Sequence, residues 1–158
     1  MNSIYIGPRD DKDTGFVLSL DRNFFQTVDG CLCVKHADFT QKHVKDKIIQ
    51  LLQGKPVDVL LSDMAPNASG HAVMDHHRIV ELNTHLLDFA VHVLKEEGTL
   101  VCKLWSGDQT RHFITTLETV FDYVKIVKPD ASRVNSAELF LLAKGYKNPK
   151  FEQVDDNE

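Results

Sequence analysis

An apolar run that ends in a carboxylate and a Pro-Asn turn constrains the fold of this chain more than any other segment. It reads VDVLLSDMAPNASG over residues 57–70, and its apolar part stops at Ser62 and Asp63. Such a run predicts a buried β-strand, and Pro66-Asn67 predicts the turn that ends it. Ligands of open α/β sheets bind at the edge where strands end. Asp63 is therefore a candidate site residue, although an isolated aspartate in this position more often caps a turn.

Strand and helix patterns alternate along the chain and predict an α/β fold. The near-continuous apolar strands favour a mostly parallel sheet with helices on both faces. The polar loop at 128–136 has no helical period, which favours an antiparallel C-terminal hairpin at one edge of the sheet. We predict helices at 42–52, 75–95 and 110–121, and strands at 16–20, 31–35, 57–62, 99–104, 123–127 and 137–144.

Length and composition indicate one domain. The 158 residues suffice for a single core, and they contain neither internal repeats nor low-complexity linkers. We divide the chain into a variable segment at 1–14, a domain at 15–146 and an acidic tail at 147–158. No run of about 18 apolar residues predicts a membrane span. The net charge of −5 argues against nucleic-acid binding through bulk charge, but it leaves room for a local basic face.

Three residues at or near predicted strand ends could carry chemistry: Asp63, Lys103 and Glu138. Two carboxylates around one ammonium could hold a lysine in a defined protonation state. Such a lysine could deprotonate or orient a hydroxyl group. Taken singly, each residue also has an ordinary structural interpretation, as a turn cap, a lysine reaching solvent or an exposed edge residue.

Two further acids, Asp21 and Asp38, also follow apolar strands. An acid after the second strand of a dinucleotide-type fold commonly accepts hydrogen bonds from a ribose. An acid after the next strand could accept from an adenine amino group, so the series predicts an adenosine-type ligand. The eight histidines show no metal-ligand spacing, and we predict no metal. No G-x-G-x-x-G occurs, which argues against a nucleotide-binding oxidoreductase.

Four segments together resemble the FtsJ/RrmJ family of S-adenosylmethionine-dependent RNA 2′-O-methyltransferases. They are SDMAPNASG (62–70), CKLW (102–105), KPDASR (128–133) and NSAELFLLAKGY (135–146). The short sequences HADFT, APNASG and CKLWSG are most similar to the mitochondrial large-subunit rRNA branch. The resemblance implies a Rossmann-like methyltransferase fold and S-adenosylmethionine as cofactor. It also implies rRNA or a pre-ribosomal large subunit as partner, a monomer and a mitochondrial location.

The resemblance also implies a role for each candidate residue. Such enzymes use a Lys-Asp-Lys-Glu tetrad, in which Asp63 matches the aspartate, Lys103 the second lysine and Glu138 the glutamate. Lys103 would activate the ribose 2′-hydroxyl, while Asp63 and Glu138 would orient it and Asp63 would lie near the methyl donor.

The same resemblance extends to the cofactor and to the RNA. Asp21 matches the acid that contacts the cofactor ribose, and Asp38 the acid at the adenine edge, with Phe39 beside it. Lys128, Ser132 and Arg133 would contact RNA phosphates or hold their own loop together.

Two family elements have no counterpart in the sequence. The first tetrad lysine and the glycine-rich cofactor loop are absent, and Lys12 is the one nearby candidate for that lysine. We therefore expect the first strand to be missing from an N-terminally truncated product. Residues 3–6 could instead fill its central slot as a makeshift strand, or be disordered. Two functions remain open: a methyltransferase, and an inactive form that binds rRNA or an assembling ribosome.

Overall fold

The computed structural model describes residues 2–6, for which it gives the backbone, together with residues 15–128 and 138–148. The predicted α/β fold is confirmed. No helix within these ranges is long and apolar enough to cross a membrane. The elements are β1 (Asn2–Ile6), β2 (Phe16–Leu20), β3 (Cys31–Val34), α1 (Lys42–Leu52), β4 (Val57–Ser62), α2 (Ala72–Val93), β5 (Leu94–Trp105), α3 (Thr110–Val120), β6 (Phe121–Val127) and β7 (Glu138–Tyr146).

The described strands form one sheet in the order β3-β2-β1-β4-β5-β7-β6. Strands β2 to β6 share one direction, and β1 and β7 oppose it. The predicted C-terminal hairpin is confirmed, because β7 pairs antiparallel with β6 at one edge of the sheet. The sheet is mixed rather than mostly parallel, because four of its six described pairings are antiparallel. The antiparallel pairings arise because β1 and β7 each lie between two strands that run the opposite way.

Strand β1 occupies the central slot between β2 and β4, which confirms the alternative that residues 3–6 fill this slot as a makeshift strand. It runs antiparallel to both neighbours, with Asn2 opposite Leu20 and Ile6 opposite Phe16. The physical reason is the short connection from Ile6 to Phe16. A parallel pair needs a crossover of about a dozen residues or more, whereas a short connection suits an antiparallel pair.

The three helices cover one face of the sheet. Each strand–helix–strand crossover moves toward the β6 edge, and right-handed crossovers then put α1, α2 and α3 on the same side. Leu18, Leu60 and Leu100 on that face are almost completely buried. The prediction of helices on both faces is wrong for the described ranges. Residues 21–30, which connect β2 to β3, contain no helix that could cover the other face.

Helix α2 differs from its predicted bounds at both ends. It begins at Ala72 rather than at residue 75. The apolar pattern missed this first turn because Val73 and Met74 are exposed and do not continue the buried stripe of the helix. It ends at Val93 rather than at residue 95, and β5 follows at once. Near the start of β5, the β4–β5 pairing has a register shift, and Glu97 has a φ of 64°.

Candidate functional site

A cleft of about 650 Å³ lies at the carboxyl ends of β2, β3, β4 and β5, where the sheet argument places a ligand. Its size is within the range of small-molecule sites. Five of the six predicted site residues line it, and they are Asp21, Asp38, Phe39, Asp63 and Lys103. The structure therefore brings together acids that are far apart in the sequence.

The sixth residue, Glu138, reaches the cleft through Lys103. The Lys103 Nζ and Glu138 Oε1 atoms are 3.1 Å apart, and the lysine side chain is 16% exposed. The register of β5 and β7 explains this ion pair, because Glu138 stands opposite Trp105, two residues beyond Lys103 on the same face. Diagonal neighbours of this kind are within reach of long side chains. The pair gives the ammonium group of Lys103 a defined position.

The loop after β4 forms one wall of the cleft. Asp63 is half-buried at its start, and Met64 to Asn67 also line the cavity. Across the opening, the guanidinium of Arg22 donates to the side-chain oxygen of Asn67 at 3.3 Å. The segment at 57–70 thus contacts the turn that follows β2.

Asp21 combines a structural role with its position in the cleft. Its backbone N–H donates to Val34, its backbone carbonyl accepts from Ala37, and its Oδ1 accepts from the Asn23 N–H at 2.7 Å. Partial burial raises the pKa of Asp21, whereas the Asn23 hydrogen bond and the nearby Arg22 charge lower it. The lowering effects are larger together, so the pKa lies below its ordinary value. Asp21 therefore presents a carboxylate at neutral pH.

Asp38 closes the turn before α1. Its Oδ1 accepts hydrogen bonds from the Thr40 side chain at 2.7 Å and from the Thr40 backbone N–H at 2.9 Å. These two bonds hold the pKa of Asp38 below its ordinary value. The adjacent Phe39 is buried and meets Phe89 edge to face, with ring centroids 5.2 Å apart. Phe39 is therefore part of the core as well as of the cleft lining.

The remaining predicted residues do not join this cluster in the described part of the chain. Lys128 is exposed directly after β6, while Ser132, Arg133, Lys12 and the tail at 149–158 lie outside the described residues. No group of three or more His, Cys, Asp or Glu among the described residues could hold a metal ion. The absence of a metal in the working protein stays a prediction.

Sequence reasoning missed three buried polar side chains of α2, namely Asp75, His76 and Asn83. Asp75 bonds to the far end of the loop after β4, and the other two bond to backbone carbonyls at the end of β5. A signal for two of them exists in the sequence. His76 and Asn83 fall at helical spacing with Ile79, Leu86 and Ala90, on a stripe that is otherwise apolar.

Known proteins similar to this chain point to one family. A family model described as FtsJ-like methyltransferase matches residues 10–146. The chain is similar to the ribosomal RNA large subunit methyltransferase E of two organisms. Identity is 37% over 147 residues with the Methanocaldococcus jannaschii protein and 40% over 141 residues with the Leptothrix cholodnii protein. These matches cover 90% and 89% of this chain and 60% of each relative.

The chain is also similar to a third relative and to a solved structure. The Gluconobacter oxydans protein of the same name is 43% identical over 110 residues, covering 70% of this chain and 41% of that protein. The chain thus spans between 41% and 60% of the length of these three relatives. A crystal structure described as a ribosomal RNA methyltransferase from Plasmodium falciparum superposes with a TM-score of 0.71 at 24% identity. It covers 82% of this chain and 71% of that one, and it is evidence about the fold alone.

Proposed function

Since this chain belongs to the FtsJ-like methyltransferase family, we propose that it transfers a methyl group from S-adenosylmethionine to a ribose 2′-hydroxyl of ribosomal RNA. One observation carries the proposal. Lys103, held by Glu138, shares a ligand-sized cleft with three aspartates at the ends of β2, β3 and β4. The names of the relatives support large-subunit rRNA as the substrate class.

The cleft residues fit the adenosine part of the cofactor. Asp21, a carboxylate at neutral pH, would accept hydrogen bonds from the ribose hydroxyls. Asp38 bonds Thr40 through Oδ1, and its second oxygen would accept from the adenine amino group beside Phe39. The cofactor supplies a methyl group on a positively charged sulfur.

The contribution of the protein to the chemistry is alignment and control of one proton. Lys103 Nζ would bind the attacking 2′-hydroxyl. Once one proton of its ammonium has passed to solvent, this amine would take the hydroxyl proton as the oxygen bonds to the methyl carbon and the carbon–sulfur bond of the cofactor breaks. Glu138 fixes the position of that nitrogen from one side, and Asp63 lies in the same cleft. Holding two reactants in a near-attack geometry is itself a large part of a rate enhancement.

The test is to replace Lys103 with alanine in the protein that shows methyl transfer. We expect transfer to RNA to be abolished while the calorimetric affinity for S-adenosylmethionine stays largely intact, because the adenosine contacts are elsewhere. Lys144→Ala, an exposed lysine on β7, is the matched control and should keep activity. Loss of transfer and affinity together in the Lys103 variant would instead mark Lys103 as structural.

A second candidate function is binding of rRNA or of an assembling ribosome without methylation. The direction of β1 favours it, because β1 ends at Ile6, opposite Phe16, on the sheet edge away from the cleft. Strand β1 therefore delivers no carboxyl end to the cofactor site. We expect this chain to bind S-adenosylmethionine far more weakly than a version extended with the family's N-terminal helix and glycine-rich loop. Equal micromolar affinities in a calorimetric titration would contradict that expectation.

The mitochondrial location and the monomeric state are proposals that follow from the branch resemblance. Imaging of the tagged full-length protein tests the first, and light scattering of the purified protein tests the second.

A further inference from the structure

Three of the five buried polar residues in the described part of the chain belong to one helix, α2. They are Asp75, His76 and Asn83, which are 6%, 2% and 1% exposed. A buried polar group costs free energy unless it forms hydrogen bonds. The partners of these three side chains therefore indicate why a helix with an otherwise apolar inner face carries them.

Asn83 bonds to the residue that carries the candidate catalytic amine. Its Nδ2 donates to the backbone carbonyl of Lys103 at 2.8 Å. The ladder between β4 and β5 stops at the pair Ser62–Cys102, one residue before Lys103. Asn83 thus supplies a hydrogen-bond donor at the point where β4 no longer does so.

His76 holds the chain two residues further along. Its Nδ1 lies 2.9 Å from the Trp105 carbonyl, and its Nε2 accepts from the Gln109 N–H at 3.0 Å. One donor and one acceptor are what a neutral imidazole offers. His76 therefore connects the end of β5 to the start of α3.

Asp75 holds the loop that begins at Asp63. Its carboxylate accepts from the Ser69 N–H at 2.9 Å, from the Ser69 hydroxyl at 2.7 Å and from the Gly70 N–H at 3.2 Å. Charge-assisted bonds of this kind are roughly twice as strong as neutral ones. Asp75 and His76, in one turn of α2, thus hold both the far end of the loop that begins at Asp63 and the end of the strand that carries Lys103.

We propose that Asn83, His76 and Asp75 are positioning residues that set the place of Lys103 relative to Asp63, with Asn83 acting directly on Lys103. This proposal rests on the proposed function for its effect on catalysis. Its effect on the Lys103 side chain can be measured without any reaction. A misplacement of about 1 Å at a reacting group can cost about a hundredfold in rate.

The experiment replaces Asn83 with leucine, which has a similar volume and no donor. Thr84→Val is the matched control, because Thr84 is the next residue, is exposed and bonds only to Val80 of its own helix. We expect kcat to fall by about ten- to a hundredfold, and the affinity for S-adenosylmethionine to change by less than about threefold because its adenosine contacts are remote. The Thr84 variant should match the unsubstituted protein in both.

A second readout uses the protein without cofactor or RNA. The ¹³Cε signal of Lys103, assigned by its loss in Lys103→Arg, should shift or broaden in Asn83→Leu and stay unchanged in Thr84→Val. Should the leucine variant fail to fold, Asn83→Ser, which keeps a small donor, replaces it and should give the same changes in weaker form.

The outcomes separate the two proposals. An unmoved Lys103 signal and unchanged kcat in a folded variant would overturn the positioning role, and so would failure of both variants to fold. A shifted Lys103 signal in a protein that never transfers methyl groups would overturn the proposed function and leave the positioning role standing.

Discussion

The two faces of the sheet differ in how deeply their side chains are buried, and strand β5 shows both faces at once. Leu100, Cys102 and Leu104 lie under the helices and are 0–1% exposed. Val101, Lys103 and Trp105 alternate with them and are half-buried on the opposite face. The covered face excludes water, as a core must. The other face keeps partial contact with solvent, where a charged lysine costs far less than in a core.

Strand β5 therefore has a different role on each of its two faces. Side chains on the helix face supply the apolar burial that stabilises the fold, and the alternate side chains supply the ion pair of the candidate site. A strand can do both because successive side chains point to opposite faces.

The largest expected difference between the faces is in thiol reactivity. Burial raises the pKa of Cys102 to about 12 from an ordinary value of 9.0. At pH 8 its thiolate fraction is then about a thousandfold lower than that of an ordinary thiol. Cys31 and Cys33, half-buried on the opposite face, should react first with a thiol reagent, and Cys102 only on unfolding. Labelling followed by mass spectrometry measures this.

The control for the thiol experiment is Cys102→Ser, which should leave the number of rapidly labelled thiols unchanged. Rapid labelling of Cys102 in the native protein would contradict the idea that the helix face is closed.

A smaller effect is expected on stability, and neighbouring leucines of β4 provide a matched pair. Leu60 faces the helices and is 1% exposed, whereas Leu61 faces the other way and is 39% exposed. Leu60→Ala should lower the free energy of unfolding by about 2–5 kcal/mol through lost burial and a cavity. Leu61→Ala should lower it by about 1 kcal/mol or less. Equal losses in denaturant titrations would mean that both faces are covered.

The smallest effect concerns Asp75, which ties α2 to the loop of the cleft. Hydrogen bonds from the Ser69 side chain and backbone hold the pKa of Asp75 below its ordinary value. A carboxyl whose pKa is depressed on folding contributes stability above the unfolded pKa of about 3.9, and this contribution is lost as the pH falls through the folded pKa. The Asp75→Asn variant should therefore have a lower melting temperature than the unsubstituted protein at pH 7, and this difference in melting temperature should narrow below about pH 4.

Asp88→Asn is the control for the pH experiment, because Asp88 is an exposed residue of the same helix. Its melting temperature should follow that of the unsubstituted protein at both pH values. A gap for Asp75→Asn that persists in acid would show that the carboxylate charge is not what matters.

Much of the site could be predicted because its signals are local. An apolar run followed by an acid predicts a strand end, and parallel strand ends meet at one edge, so Asp21, Asp38 and Asp63 do share a cleft. The Lys103–Glu138 contact follows from the predicted hairpin. The resemblance to the FtsJ family is confirmed by the family model. The roles implied for the individual residues stay predictions.

The polar contacts of α2 could not be predicted in the same way. Asn83 and Lys103 are 20 positions apart, and His76 and Gln109 are 33 apart. Their contact depends on how α2 lies across the ends of β4 and β5. A helical pattern reports which side of a helix is buried, but not which carbonyl lies beneath a given side chain.

The sequence by itself determined the order of strands and helices, the acids at the strand ends and the family, because these depend on periodicity and on short segments of residues. Only the tertiary structure decided that β1 runs antiparallel in the centre of the sheet and that the described helices share one face. It also decided which backbone atoms the buried side chains of α2 hold. These features depend on chain connection lengths, crossover handedness and long-range packing, which no local pattern encodes.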